Sequence, residues 1–260
     1  MESLLPERQF SQKWHIKGLL TVVLVILILF GSGQMTGVST DFSWDQFWQI
    51  LIKMTQPDWS YVSAIVTPIL ETIQMALVGT LLGTIIAVPF SLLAARNIMK
   101  NAVARGIIRF FLNLVRALPD LLLAALFVAI VGIGPMAGVG ALTVFSFGMI
   151  SKLFYEAIET IDDGPIEALT AAGANSIQTI VFAVVPQVFN QFLSYFLYTL
   201  EINVRASTVL GYLGAGGVGL YLSQTLSLFR YDHTAIVILA ILVVVIIVDG
   251  ISNRLREALA

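Results

Sequence analysis

Long blocks of apolar residues alternate with short polar connections along most of the chain. Most blocks reach about 18 residues, the length at which a helix rising ~1.5 Å per residue crosses a ~30 Å hydrocarbon core. Ten-residue segments of alternating polarity are absent from the sequence, which favours helices over membrane β-strands. The pattern predicts an all-α integral membrane protein with about six transmembrane helices, at residues 16–30, 66–95, 107–133, 137–155, 186–212 and 234–251.

The composition agrees with a membrane protein and excludes several classes of function. Of the 260 residues, 58% are hydrophobic and 12% are charged, and the mean hydropathy is +0.91. A net charge of −2 does not indicate a nucleic-acid-binding surface. The chain has no cysteine, which excludes disulfides, thiolate catalysis and cysteine-based metal sites. Neither H-E-x-x-H nor G-x-S-x-G occurs in the sequence. We expect membrane lipid as a partner, and no catalytic residue, no metal site and no cofactor bound by this chain.

The N-terminal part of the chain is predicted to be a region apart, residues 1–65, preceding a core of residues 66–260. Its apolar block lacks a clear A-x-A cleavage site, so we expect a retained anchor helix rather than a signal peptide. Residues 45–56 carry apolar side chains at i, i+3, i+4 and i+7, which predicts an amphipathic helix on the outer bilayer surface. The four apolar positions are Phe47, Ile50, Leu51 and Met54.

The distribution of basic residues predicts the orientation. If the N-terminus is cytoplasmic, eleven of the 14 Lys and Arg residues fall on the cytoplasmic side, and the remaining three are Lys53, Arg205 and Arg230. The positive-inside rule therefore predicts that both termini are cytoplasmic. The same topology places residues 156–185 in the cytoplasm and the glycine-rich stretch 213–219 at the outer end of the fifth span.

Residues 156–185 have the features of two short helices outside the membrane. Ala168, Ala171 and Ala172 form a face of small residues, and Gly173 is suited to end a helix. Asn175 or Ser176 is suited to cap a second helix, and Pro186 to begin the next span. An ordinary loop between spans would not need a helical insert of this length with so few charges. We therefore expect a soluble partner to dock here.

The stretch "LGAGGVG" contains Gly214, Gly216 and Gly219 in the G-x-G-x-x-G spacing of a dinucleotide-binding loop. That reading requires a preceding strand and an acidic residue about twenty positions later. Here a span of helical length precedes the glycines, and Asp232 lies only thirteen residues after Gly219. Glycines at membrane depth instead allow close packing or an irregular turn that lines a cavity. We predict that Gly214, Gly216 and Gly217 contribute to a gate.

Two pairs of opposite charges lie within predicted spans. Glu201 and Arg205 are four residues apart and can neutralise each other on one helix face. Alternatively, Arg205 lines the outer pathway, with Asn203 and Ser207 nearby, and donates hydrogen bonds to an oxyanion. Arg116 and Asp120 have the same spacing near the cytoplasmic end of the third span. We expect them to form a local pair or to extend to the interface.

Several stretches together resemble one family of transport proteins. Glu167, Ala168, Gly173, Val185 and Pro186 resemble the "EAA" loop of binding-protein-dependent ABC importer permeases. The similarity is greatest to the phosphonate/phosphate-type permeases, the PhnE family, and extends over nearly the whole chain. It is carried by "VGIGPMAGVGAL" at 131–142, by residues 151–175 and 184–188, and by "EINVRASTVLGYLGAGGVG" at 201–219. Leu169 and Thr170 depart from the general loop, which often has a third alanine nearby.

The resemblance implies a type I ABC importer permease fold in a bacterial inner membrane. It further implies a homodimer, two cytoplasmic ATPase subunits that bind ATP and magnesium, and an extracytoplasmic substrate-binding protein. The loop would couple to the ATPase through Glu167, Ala168, Ala171, Gly173 and Pro186. The substrate would be phosphonate, phosphate or phosphite.

Two alternatives remain open at this stage. A permease for methionine or a related amino acid has a similar coupling loop and glycine-rich segment. An ion-coupled secondary transporter would use the intramembrane charges for protons, but no inverted repeat is evident in the sequence, and the cytoplasmic helices would have no purpose.

Overall fold

The computed structural model describes residues 21–28, 31 and 43–259. The chain divides into two compact units, Met1–Gln49 and Ile50–Ala260. In the first unit residues 21–28 are helical and exposed, and helix α1, Trp44–Met54, begins there. Helix α1 coincides with the predicted amphipathic segment and contains no buried residue. The rest of the first predicted span lies outside the described residues, and the predicted boundary after residue 65 stays a prediction.

The described part of the second unit is built from helices and contains no strand. This confirms the predicted all-α membrane class. Two five-residue π-helical stretches, Ile180–Val184 and Gly211–Ala215, interrupt the α-helices. In chain order, the helices after α1 are α2 Val62–Ala94, α3 Ala102–Arg116, α4 Asp120–Val131, α5 Pro135–Ile158, α6 Gly164–Ala171, α7 Ser176–Thr179, α8 Val185–Leu210, α9 Val218–Ser227 and α10 Tyr231–Leu259.

Four helical segments of the described residues are each long and apolar enough to cross a membrane: Trp59–Ala94, Pro135–Ile158, Ser176–Ala215 and Tyr231–Leu259. The predicted third span, 107–133, is wrong as a single helix. It consists of α3 and α4, which are bent by 83° and reach the length of a span only together. The break falls before Pro119, because a proline disfavours helical geometry in the residue that precedes it.

The predicted start of the fifth span at Pro186 is also wrong. Helix α7 continues through the first π-helical stretch into α8, so that one helix runs from Ser176 to Ala215. Pro186 therefore lies inside this helix rather than at its start. Proline lacks an amide hydrogen and its ring crowds the preceding turn, and the π-helical residues immediately before it widen that turn. The expected second short helix is accordingly the first turns of the fifth span.

The centre of the bundle is formed by α2, α5 and α8, which approach closely through small residues. A Cβ atom at Gly79 would lie 2.6 Å from the Cβ atom of Leu142, and one at Gly83 would lie 2.7 Å from the carbonyl oxygen of Thr143. The hydrophobic effect does not drive helices together in lipid, so they associate largely through van der Waals packing. Small residues at the crossings allow that close packing. This packing fixes the two ends of the bundle relative to each other. We call them the α6 end, where α2 and α5 finish, and the glycine end, where residues 211–219 lie.

Candidate functional site

Helix α6 projects from the bundle without a buried residue of its own. Glu167, Ala168 and Ala171, which the sequence analysis assigned to coupling, are all exposed on it. Pro165 stands in its first turn, where its missing amide hydrogen costs nothing. Ile166 packs this helix against the core of the bundle, and the opposite side of the helix is exposed.

A left-handed glycine and a capping box end α6 and begin the fifth span. Gly173 has φ of +86°, and its amide donates to the carbonyl oxygen of Thr170 at 3.0 Å. The Asn175 side chain accepts from the amide of Gln178 at 2.9 Å, and the Gln178 side chain accepts from the amide of Asn175 at 2.8 Å. These local bonds satisfy backbone groups that a helix start leaves unpaired. The predicted turn at Gly173 and cap at Asn175 are confirmed.

Gln187 fixes the entrance of this segment to the fifth span. Its side-chain oxygen accepts from the amide of Asp162 at 3.1 Å, and its side-chain nitrogen donates to the carbonyl oxygen of Ala183 at 2.8 Å. The loop before α6 and the helix after it are therefore connected directly.

A charged cluster that the sequence pattern did not predict joins the ends of α2 and α5 to the middle of α3. One carboxylate oxygen of Glu159 pairs with Arg109 and accepts from the amide of Arg96 at 2.6 Å. Arg109 also donates two hydrogen bonds, at 2.8 and 2.9 Å, to the carbonyl oxygen of Ala94, the last residue of α2. The guanidinium lies 4.7 Å from the centroid of the Tyr155 ring. Arg109 thereby satisfies the carbonyl group at the C-terminus of α2, where a positive charge is favourable.

Replacing Glu159 by alanine is expected to destabilise the protein by about 1.5–3 kcal/mol, the usual worth of hydrogen bonds to a charged group. Thermal unfolding of the detergent-solubilised protein measures this. The matched control is the double variant K152A/E156A, which removes an ion pair of 3.5 Å within helix α5. A pair within one exposed helix face contributes roughly 0.5 kcal/mol or less. Equal shifts for the two variants would contradict the assigned role of Glu159.

The glycine-rich stretch closes the opposite end of the bundle. Gly214, Gly216 and Gly217 are buried and have φ of +95°, +84° and +67°. The carbonyl oxygen of Gly214 accepts from the amide of Gly134 at 3.0 Å, and the amide of Val218 donates to the hydroxyl of Thr72 at 2.8 Å. The glycines thus supply a left-handed turn and close backbone packing against α2 and the start of α5. Their contribution to a gate stays a prediction.

Asn203 and Ser207 lie on the face of α8 that points into the protein. Asn203 is fully buried, and its amide nitrogen donates to the hydroxyls of Thr80 and Ser146, each at 2.6 Å. The Ser207 hydroxyl donates to the carbonyl oxygen of Val204 within the same helix. Two residues of α-helix correspond to a rotation of about 200°, so Asn203 faces away from Arg205. Asn203 connects three helices near the middle of the bundle.

Arg205 is the centre of an ion-pair network between α8 and α10. One of its terminal nitrogens pairs with Glu201 and lies 2.9 Å from a carboxylate oxygen of Asp249. Arg256 pairs with the second oxygen of Glu201 at 2.8 Å. Asp249 on α10 is therefore paired with Arg205 on α8. The Arg205 side chain is 50% exposed, whereas that of Glu201 is 12% exposed.

A second polar cluster surrounds His233 at the glycine end. Its ring stacks on Tyr61, and its Nε2 lies 2.7 Å from Arg230 and 3.3 Å from Asp58. Hydrogen bonds from the side chain and the backbone amide of Ser60 lower the pKa of Asp58, and His233 lowers it further. Asp58, Asp232 and His233 are close enough to share one cation. The guanidinium of Arg230 already supplies positive charge beside His233, and the cluster connects the starts of two helices through polar contacts.

The assigned residues therefore fall into separate places. The coupling residues lie at the α6 end, Glu201 and Arg205 lie on an exposed face of α8, and the glycines lie at the other end.

Comparison with known proteins identifies relatives that match most of this chain. Residues 87–259 match the family model described as "Binding-protein-dependent transport system inner membrane component". The phosphite transport system permease protein PtxC of Stutzerimonas stutzeri is 40% identical over 201 residues, which cover 77% of this chain and 73% of that protein. The phosphate-import permease protein PhnE of Mycolicibacterium smegmatis is 35% identical over 211 residues, covering 81% of this chain and 40% of that protein.

The fold is also similar to that of a solved transporter. A chain of the MetNI methionine ABC transporter, in an inward-facing conformation, superposes with a TM-score of 0.70 at 24% identity. The match covers 78% of this chain and 99% of that chain. The predicted class of fold is confirmed by this similarity.

Proposed function

Because the chain belongs to the family of binding-protein-dependent transport system inner membrane components, we propose that it is the permease subunit of an ABC importer for a phosphorus oxyanion. Phosphite, phosphate and phosphonate are the candidate substrates. The permease forms the translocation pathway, and the energy comes from ATP and magnesium bound by a partner ATPase. The chain itself performs no catalysis.

The proposed substrate class rests on sequence identity to relatives that are named for phosphite and phosphate transport. A permease for methionine is the second candidate, because the MetNI chain shares the fold. Its identity of 24% is well below the 35–40% of the phosphorus-type relatives, so methionine is the weaker candidate. The family relationship argues against an ion-coupled secondary transporter.

The exposed helix α6 is the proposed docking site for the ATPase. Glu167 would pair with a basic side chain of that protein, and Ala168 and Ala171 would permit close approach. Gly173 supplies the turn by which α6 joins the fifth span, and Pro186 lies further along that span, beyond the cap. The contact between Gln187 and Asp162 supports this proposal, because it links movement of α6 to that span.

The exposed face of α8 is the proposed wall of the pathway. Arg205 uses one terminal nitrogen for both of its carboxylate partners, which leaves its other donors for an oxyanion. Contact between a half-exposed arginine side chain and lipid is energetically unfavourable. An aqueous path or a second copy of this chain is therefore favoured at this face. Asn203 and Ser207 would support this face from behind, and Gly214, Gly216 and Gly217 would shape a gate above it.

The proposed orientation follows the charges of the described loops. Arg96, Lys100, Arg105, Arg109 and Lys152 lie toward the α6 end, whereas Lys53 and Arg230 lie at the glycine end. The positive-inside rule favours a cytoplasmic α6 end, cytoplasmic termini and location in the bacterial inner membrane. The glycine end would then face a soluble substrate-binding protein. Two copies of the chain and two ATPase subunits would complete the importer.

Purification of the tagged full chain from its native membrane in mild detergent, followed by mass spectrometry, tests the proposal. We expect an ATPase and a soluble binding protein to copurify. The recovered binding protein should bind phosphite, phosphate or methylphosphonate in calorimetry, and not methionine. Recovery of the chain alone, with uptake that persists after ATP depletion and follows an ion gradient, would overturn it.

A further inference from the structure

Arg116 lies near the middle of the membrane-spanning bundle. Its side chain is exposed and makes no hydrogen bond or ion pair with any residue that the structure describes. The expected pair with Asp120 does not form, because α3 ends at Arg116 and α4 begins at Asp120 in another direction. Asp120 instead accepts a hydrogen bond from the amide of Leu121 at 3.0 Å.

The depth of Arg116 follows from its contact with helix α5. A Cβ atom placed on Gly148 would lie 3.3 Å from the backbone nitrogen of Arg116. Gly148 is ten residues from the end of α5 at Ile158 and thirteen from its start at Pro135, which corresponds to about 15 and 20 Å along the helix. The bend between α3 and α4 therefore leaves Arg116 beside the middle part of α5, about one helical turn from the level of Lys152.

Arg116 lies at nearly the same depth as Arg205. Ser146, two residues from Gly148, accepts a hydrogen bond from Asn203 at 2.6 Å, and Asn203 is two residues from Arg205. With a rise of ~1.5 Å per residue, the two arginines differ by about 6 Å along the helices. A cleft of about 260 Å³ adjoins Arg116, with Val115, Leu118, Phe145 and Met149 as its other lining residues. Arg116 is the polar residue of this cleft, and its other lining residues are apolar.

We infer that Arg116 is a binding residue for the transported phosphorus oxyanion, at the same level of the pathway as Arg205. This inference rests on the proposed importer function. An unpaired guanidinium that faces lipid is strongly unfavourable, and an aqueous pathway removes that cost. Arg116 is tolerated at the C-terminus of α3 because a positive charge is favourable there. The donor groups of its side chain make no hydrogen bond to the rest of the described chain. Guanidinium donors match phosphate oxygens in geometry and charge.

Uptake of radiolabelled phosphite and phosphate in cells that carry the complete importer tests the role of Arg116. We expect R116Q to raise KM at least about tenfold at normal membrane abundance, and R116K to raise it less, since a charged hydrogen bond to substrate is lost or weakened. The control is R105Q on the same face of α3, where Arg105 donates to the carbonyl oxygen of Met99. R105Q should transport normally.

The absence of cysteine from the chain allows a direct test of water access. In R116C the single thiol should react with membrane-impermeant methanethiosulfonate reagents, and phosphite or phosphate should slow the reaction. Attachment of a positively charged aminoethyl group should restore uptake, whereas a negatively charged sulfonatoethyl group should not. This rescue is informative even if R116Q is poorly made.

An unreactive thiol in R116C, or an unchanged KM in R116Q, would overturn the inference. If the wild-type importer takes up neither anion, the proposed substrate class fails instead. The two failures are therefore distinguishable in the same assay.

Discussion

Replacing Gly219 by alanine is expected to prevent accumulation of the folded protein in the membrane. The added Cβ atom would overlap the carbonyl oxygen of Thr208 and lie 2.9 Å from the Cα atom of Gly211. Both neighbours are backbone atoms of the fifth span, so no side-chain rotation relieves the overlap. Overpacking of well-ordered interiors costs about 1–3 kcal/mol, and a backbone collision exceeds that range.

The matched control for this prediction is G106A in helix α3. A Cβ atom at Gly106 meets no atom within 4 Å, and alanine is the better helix former by about 1 kcal/mol. Fluorescence-detected size-exclusion chromatography of both variants gives the amount of monodisperse protein. We expect near-complete loss for G219A and no loss for G106A. A normal G219A profile would show that α9 and the fifth span are not in direct backbone contact.

Replacing Arg205 by methionine is expected to abolish uptake and to lower the abundance of the protein. The substitution leaves the Asp249 carboxylate without its cation, at a cost of roughly 2.5–3.5 kcal/mol on insertion scales. Glu201 keeps its pair with Arg256, so the damage is centred on Asp249. Quantitative immunoblotting of membranes and uptake of radiolabelled phosphite measure the two effects separately.

The double variant R205M/D249N separates the structural role of Arg205 from its transport role. The second substitution replaces the Asp249 carboxylate by a neutral amide, and Glu201 remains paired with Arg256, so abundance should return close to the wild-type level. Uptake should remain lost if Arg205 contacts the oxyanion. Recovery of uptake together with abundance would assign Arg205 to the ion-pair network alone.

Features that depend on neighbouring residues could be predicted from the sequence. Hydropathy is a sum over adjacent residues, so the four uninterrupted spans were predicted, although the start of the fifth span was not. The turn at Gly173 and the cap at Asn175 involve partners within four residues, and both were predicted. The spacing of Glu201 and Arg205 on one helix likewise predicted their ion pair.

Other features were decided by contacts between distant parts of the chain. Arg205 meets Asp249 across 44 residues, Arg109 meets Glu159 across 50, and Asn203 meets Thr80 across 123. The sequence contains no sign of these pairs, because the rotation of each helix about its axis depends on packing against the others. The bend that isolates Arg116 has the same origin, since proline permits a break and the neighbouring helices set its angle.

The sequence by itself determined the membrane class, the spans that run without a break and the exposed segment that ends at Gly173, because each depends on local hydropathy or local capping. Only the tertiary structure decided which charges of the described chain are paired and which remain free. A charge inside a membrane is stabilised by whatever lies within a few ångströms of it, and packing of distant helices brings those groups together.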